Sequence, residues 1–143
     1  MEKYLYFRNA STAAEEDDEV TGSTVYPLST FRGMCSGTST QLGAVTDDAD
    51  AFSMFFTCKG RIAGTAGDAD DAAGDNVDVV VVAITTDNNQ KAVMIDLLNK
   101  INHLQISKNE SVLTVFDKGA GGDTEAFNSD VEGITVIHVE SAD

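Results

Sequence analysis

The chain has 143 residues, 42% of them hydrophobic, and its 24 acidic residues against 9 lysines and arginines give a formal net charge of -15. This length is sufficient for a core of its own, and we expect residues 1–143 to form one domain. The negative charge repels nucleic-acid phosphates and anionic membrane surfaces, and no apolar run approaches the roughly 20 residues of a membrane helix, so we expect neither partner.

Six segments carry the β-branched and aromatic residues, bounded by turn residues, that are typical of strands. The first strand starts at once, without the basic start, apolar run and small-residue cleavage site of a signal peptide, so we expect folding in a cytoplasm. The six segments are residues 3–8, 24–35 with a break at Pro27, 51–59, 77–86, 111–117 and 133–140.

One segment has helical periodicity. We place this helix at about residues 88–104, with Asp87 as its N-cap and Gln90 three residues later completing a capping box. The apolar residues that share one face of the helix are Val93, Met94, Leu97, Leu98, Ile101 and Leu104.

The order of four strands, one helix and two strands predicts an α+β fold. We expect a β-rich domain with a largely antiparallel sheet, or a two-layer β core, and a single packed helix. The apolar run at residues 79–82 indicates a central strand that is covered on both faces, by a second layer of strands or by another chain. Four long acidic or small-residue loops, residues 9–23, 36–50, 60–76 and 118–132, separate the elements.

An aspartate-rich loop is the one candidate metal site. Asp68, Asp70 and Asp75 could offer oxygen ligands to calcium. An EF-hand loop would need glycine at its sixth position, where this chain has Ala73, so a solvated loop is the preferred interpretation and a bound ion stays open. We expect no cofactor.

No catalytic residues are predicted. A thiol nucleophile could in principle be formed by Cys35 or Cys58 with His103 or His138. Neither cysteine starts a predicted helix or adjoins a basic cluster, so we expect reduced, structural thiols. The glycine-rich residues 119–123 lack the lysine and hydroxyl residue of a phosphate-binding loop. We therefore expect a protein that is not an enzyme.

Five segments of the chain, taken in order, form a pattern: residues 3–8, the aromatic strand 52–56, residues 78–81, residues 91–94 and residues 101–102. In this order they resemble small virion proteins of tailed phages from marine bacteria. It implies a structural role, as a capsid decoration or cement protein present in several copies. The implied partners are further copies of the chain and a major capsid protein, and the implied location is the virion after synthesis in the bacterial host cytoplasm.

The opening strand is the predicted interface, formed by Tyr4, Leu5, Tyr6, Phe7 and Arg8. A terminal strand followed by a long connection can leave its own sheet and add to the edge of a neighbour. An ordinary edge strand within the chain is the alternative.

Two other functions are compatible with the acidic composition. An acidic inhibitor could imitate DNA and bind a DNA-handling protein, but the carboxylates here lie in glycine- and alanine-rich loops and not in a regular array. The acidic surface could also be an adaptation to a saline environment. We rank both below the structural role.

Overall fold

The structure is a computed structural model that describes residues 2–9, 23–39, 45–57, 77–119 and 124–137. Within these ranges the chain forms strands, a 3₁₀ turn at Leu28–Thr30 and one α-helix, α1, at Gln90–Ile106. The strands are β1 (Tyr4–Asn9), β2 (Ser23–Pro27), β3 (Phe31–Ser36), β4 (Thr38–Ser39), β5 (Val45–Thr46), β6 (Ala51–Thr57), β7 (Val77–Ile84), β8 (Val112–Lys118), β9 (Thr124–Ala126) and β10 (Val131–Ile137).

Sheet I has the strand order β2-β1-β8-β9. Strand β1 pairs antiparallel with β2, where Leu5 lies opposite Tyr26, and parallel with β8, where Leu5 lies opposite Leu113. The opening strand therefore lies inside its sheet with a neighbour on each side. The expectation that β1 forms an edge is wrong, because β8, from the later part of the chain, pairs with its second edge.

Sheet II has the order β10-β7-β6-β3, with antiparallel pairing throughout. Strands β6 and β7 are central, and their register places Phe52 opposite Val82 and Met54 opposite Val80. These four side chains are fully buried. The apolar run predicted as a central strand is confirmed as β7, and the small β4–β5 pair lies in the segment between β3 and β6.

One contiguous hydrophobic core joins the two sheets and the helix. Phe56 of sheet II stacks on Tyr26 with ring centroids 4.1 Å apart, and Phe7 meets Phe56 edge-on at 5.8 Å. The helix contributes the buried side chains of Val93, Leu97, Ile101 and Leu104. The predicted α+β class is confirmed, with antiparallel sheets, one parallel strand pair and a single packed helix in the described chain.

The start of α1 differs from the predicted capping box. The N-cap residue is Asn89 and not Asp87, and its side chain makes no capping hydrogen bond. The Asn89 side-chain amide instead donates to Asp130 Oδ2 at 2.9 Å, and the Gln90 side-chain amide donates to the Asp48 carbonyl oxygen at 2.6 Å. Asn88 adopts a left-handed φ of 63°, so the chain turns just before the helix. Contacts with distant residues, and not a local cap, therefore set this boundary.

None of the helical segments in the described ranges combines the length and the apolar character needed to cross a bilayer.

Candidate interaction surface

The residues predicted as metal ligands and nucleophiles are not brought together in the described structure. Asp68, Asp70, Asp75, Cys58 and His138 lie outside the described residues. Within the described ranges, no group of three or more His, Cys, Asp or Glu side chains is placed to hold a metal ion. The remaining candidates are a free, half-buried thiol at Cys35 on β3 and His103 on the exposed side of α1.

Two open cavities in the described part of the chain each have a volume of about 310 Å³. The first lies beside the turn before β6 and is lined by Ser36 and Asp48 among others. The second lies along α1 and includes His103 and Glu110. Neither described cavity places a hydroxyl or thiol nucleophile with a histidine.

Strand β1 divides the predicted interface between two faces of sheet I. Leu5 and Phe7 are 0% exposed and belong to the core. Tyr4, Tyr6 and Arg8 alternate with them along the pleated strand, point to the outer side of the sheet and are half-buried. A partner on the outer side can therefore touch only these three of the five predicted residues.

Two valine side chains lie beside the tyrosines, and together these residues form an apolar patch. Tyr6 lies opposite Val25 on β2, and Tyr4 lies opposite Val112 on β8. The two valines are 51% and 50% exposed. We call Tyr4, Tyr6, Val25 and Val112 the tyrosine face. Neither valine could be assigned to this patch from the sequence, because both join it only through strand pairing. One signal was present in β2, where the exposed Val25 alternates with the buried Tyr26.

Charged residues beside the tyrosine face are paired or tied to the backbone. The Arg8 Nε donates to Asp117 Oδ1 at 2.5 Å, which balances the two charges. The Lys3 ammonium group donates to the Ser107 carbonyl oxygen at 2.8 Å and also to the Glu110 carbonyl oxygen, which ties β1 to the end of α1. In a chain with a net charge of -15, the tyrosine face is thus an uncharged area on a fixed sheet.

A buried hydrogen bond lies on the core side of sheet I. The Tyr26 hydroxyl of β2 donates to Asp78 Oδ2 of β7 at 2.7 Å, and Asp78 is 0% exposed. The bond joins sheet I to sheet II across the core. Because burying a carboxylate is unfavourable unless hydrogen bonds stabilise it, this contact fixes how the two sheets pack.

An acidic turn before β6 is held by hydrogen bonds among its own groups. The pKa of Asp48 is lowered, first by a hydrogen bond with the Asp50 carboxyl group and then by the Thr38 hydroxyl, which donates to Asp48 Oδ2 at 2.8 Å. The pKa of Asp50 is raised, because it shares that hydrogen bond and is repelled by the Asp48 charge. These two carboxyl groups therefore organise the turn.

Asp130 plays a similar part beside the start of α1. Its Oδ1 accepts hydrogen bonds from the Thr86 amide at 3.1 Å and the Thr86 hydroxyl at 2.8 Å, and its Oδ2 accepts one from Asn89. The Asn89 and Thr86 hydrogen bonds lower the pKa of Asp130. The carboxylate thus connects the turn before β10 to the end of β7 and the helix.

Within the described residues the fold is β-rich, with two four-stranded sheets joined by one core, and sheet I carries an exposed apolar face. Comparison with known protein families, with curated proteins and with solved structures gives no match to this chain.

Proposed function

We propose that this protein is a non-enzymatic structural component of a phage virion, which associates with further copies of itself and with a major capsid protein to decorate or cement the capsid. The single observation that carries the proposal is the tyrosine face, an exposed apolar patch on the outer side of sheet I. The resemblance of the opening strand and the strand-to-helix segment to small virion proteins supports the same role.

The chemistry of the tyrosine face suits protein contact. Tyrosine provides a large apolar ring and a hydroxyl that can bond to a partner, and aromatic residues are enriched in interfaces while charged residues are depleted at their centres. Val25 and Val112 add exposed apolar area on either side. A modest patch is sufficient in a shell, because many symmetric copies reinforce individually weak contacts.

The position of β1 changes the proposed mode of contact. Both of its edges are paired with β2 and β8, and Leu5 and Phe7 are fully buried. Donating this strand to a neighbour would break both pairings and open the core. We therefore propose that partners contact the outer side of sheet I, and that Tyr4, Tyr6 and Arg8 are the contacting members of the opening strand.

A matched pair of valine substitutions tests this function. Val25→Lys places a charge in the tyrosine face, whereas Val45→Lys makes the same change on β5, where the valine is 46% exposed and outside the face. The purified variants are mixed with capsids of the phage that lack the protein, and bound protein is measured after sedimentation. We expect the wild type and Val45→Lys to bind and Val25→Lys to be lost from the capsid fraction.

Two results would contradict the proposal. Equal binding of Val25→Lys and Val45→Lys would remove the tyrosine face from the contact. Failure of the wild-type chain to bind capsids would remove the capsid role itself. Thermal unfolding of both variants verifies that each is folded at the assay temperature.

A further inference from the structure

The turn before β6 holds the start of α1 from outside the helix. We call residues 47–50 the acidic turn. The successive carbonyl oxygens of residues 48–50 accept hydrogen bonds from the Gln90 side-chain amide at 2.6 Å, the Asn88 amide at 2.7 Å and the Ile84 amide at 2.8 Å. Ile84 is the last residue of β7 and Gln90 is the first residue of α1. The acidic turn therefore fixes the junction between β7 and α1.

The start of the helix depends on such contacts because it has no local cap. The N-cap residue Asn89 makes no side-chain capping hydrogen bond, and the first turn of α1 contains no acidic residue. Asn88 has a left-handed φ of 63°, a conformation that the surrounding structure has to hold. The hydrogen bond from its amide to the Ala49 oxygen does so. We therefore expect the junction to open locally when the acidic turn moves away.

Acidic residues from three connections meet at this end of sheet II. The acidic turn leads into β6, Asp87 follows β7 and Glu132 lies on β10, while β7 pairs with both β6 and β10. The Asp50 carboxyl group is repelled by the charges of Asp48, Asp87 and Glu132. The ionisable residues that the described elements bring to this end of the sheet are Asp47, Asp48, Asp50, Asp87, Lys91, Asp130 and Glu132.

The Asp50 charge is opposed by its neighbours and is not stabilised by a base. Lys91 is the one base among these residues, and neither of the two ion pairs in the described ranges includes it. Asp130 differs from Asp50, because the Thr86 and Asn89 side chains donate hydrogen bonds to the Asp130 carboxylate. The hydrogen bond that acts on the Asp50 carboxyl group is the one it shares with Asp48.

We propose that the acidic turn is a proton-sensitive connection: it holds the β7–α1 junction closed while the Asp50 and Asp48 carboxyl groups share a proton, and the junction opens more often when both are ionised. This inference goes beyond the capsid role and does not depend on it, because no partner takes part.

The direction of the effect follows from the two carboxyl groups. The pKa of Asp50 is raised by the hydrogen bond with Asp48 and by the Asp48 charge, so the closed junction binds this proton more tightly than the open junction does. The proton therefore stabilises the closed junction fully below the ordinary pKa of 3.8, and this stabilisation is lost as the pH rises through the raised pKa of Asp50. The lowered pKa of Asp48 acts in the opposite direction, but only below about pH 4.

Amide hydrogen exchange of the full chain measures the opening. Exchange is followed by NMR at low salt from about pH 4.5 to about pH 7.5, and protection factors remove the pH dependence of intrinsic exchange. The reporters are the Ile84 and Asn88 amides, and the reference is the Tyr4 amide, which donates to the Ser111 oxygen at 2.9 Å away from the junction. We expect the protection of both reporters, relative to Tyr4, to fall by about threefold to tenfold over this pH range.

Two amide substitutions in the acidic turn separate the shared proton from general charge. Asp50→Asn removes the titrating group while its amide can still donate to Asp48, so the reporters should stay protected at every pH. Asp47→Asn is the matched control, because it removes one negative charge from an exposed residue of the same turn and leaves Asp50 in place. Asp47→Asn should keep the pH dependence of the wild type.

Three results would overturn the inference. The first is a wild-type protection of Ile84 and Asn88 that does not change with pH relative to Tyr4. The second is an equal fall in Asp50→Asn, and the third is loss of the pH dependence in Asp47→Asn as well. The carboxyl carbon shift of Asp50, followed in the same titration, gives its pKa directly, and a value at or below 3.8 would also overturn the inference.

Discussion

Substituting Tyr26 by phenylalanine isolates the hydrogen bond that joins the two sheets. The phenylalanine ring retains the stacking on Phe56 and the edge contact with Phe7, while the 2.7 Å bond from the hydroxyl to Asp78 Oδ2 is removed. A hydrogen bond to a buried charged group contributes about 1.5–3 kcal/mol, so we expect the free energy of unfolding to fall by about that amount. For a chain of this size the Tm should fall by roughly 5–10 °C.

Urea unfolding provides the measurement. We expect the urea midpoint of Tyr26→Phe to fall while the slope m stays unchanged, because the variant and the wild type expose the same surface on unfolding. Tyr6→Phe is the matched control, since within the described residues the Tyr6 hydroxyl makes no hydrogen bond; its stability should stay within about 0.5 kcal/mol of the wild type. Equal stability of Tyr26→Phe and Tyr6→Phe would refute the role given to the buried bond.

Three further substitutions test other parts of the fold. Asp50→Asn should raise the Tm at pH 7 and have no effect near pH 3, because the raised pKa of Asp50 makes its ionised form unfavourable in the folded state, and an amide can still donate to Asp48; a larger gain at low pH would contradict this sign. Gly37→Ala should destabilise the protein by about 1–3 kcal/mol in urea unfolding, because the φ of Gly37 is 100° and an added Cβ would lie 2.4 Å from the Thr46 carbonyl oxygen. An unchanged urea midpoint would contradict this turn geometry. Leu5→Ala should lower the free energy of unfolding by about 2–5 kcal/mol, and a loss below 1 kcal/mol would show that β1 is not part of the core.

Local sequence patterns were sufficient where neighbouring residues determine the structure. The period of α1 identified most of its buried face, including Val93 and Leu97. Leu98 was assigned to the same face wrongly, since it is 44% exposed. The β-branched run of Val77–Ile84 identified a central strand. The break at Pro27 is also confirmed, because β2 ends there and a 3₁₀ turn leads into β3.

Long-range contacts determined what the sequence could not show. The parallel pairing of β1 with β8 joins residues more than one hundred positions apart, such as Tyr4 and Val112, and no local signal announces it. The helix start depends on the contact between Asn89 and Asp130, which overrides the capping pattern that favoured Asp87. The interior position of β1 and the N-cap at Asn89 both depend on contacts between residues far apart in the sequence, so both predictions were wrong.

The candidate surface was predictable in part. The alternation in the opening strand separated tyrosines from Leu5 and Phe7, but only the pairing of β1 with its neighbours shows which side faces the core. The exposed isoleucines of α1 are visible in the sequence as apolar residues outside the buried face. The structure shows that packing of the helix leaves Ile95 and Ile106 uncovered.

The position and copy number of the chain in purified phage particles decide whether it has a role on the capsid. Quantitative mass spectrometry against the major capsid protein, combined with labelling of the chain on intact particles, gives both. We expect many copies per particle on the capsid. Absence of the chain from particles that are otherwise complete would contradict it.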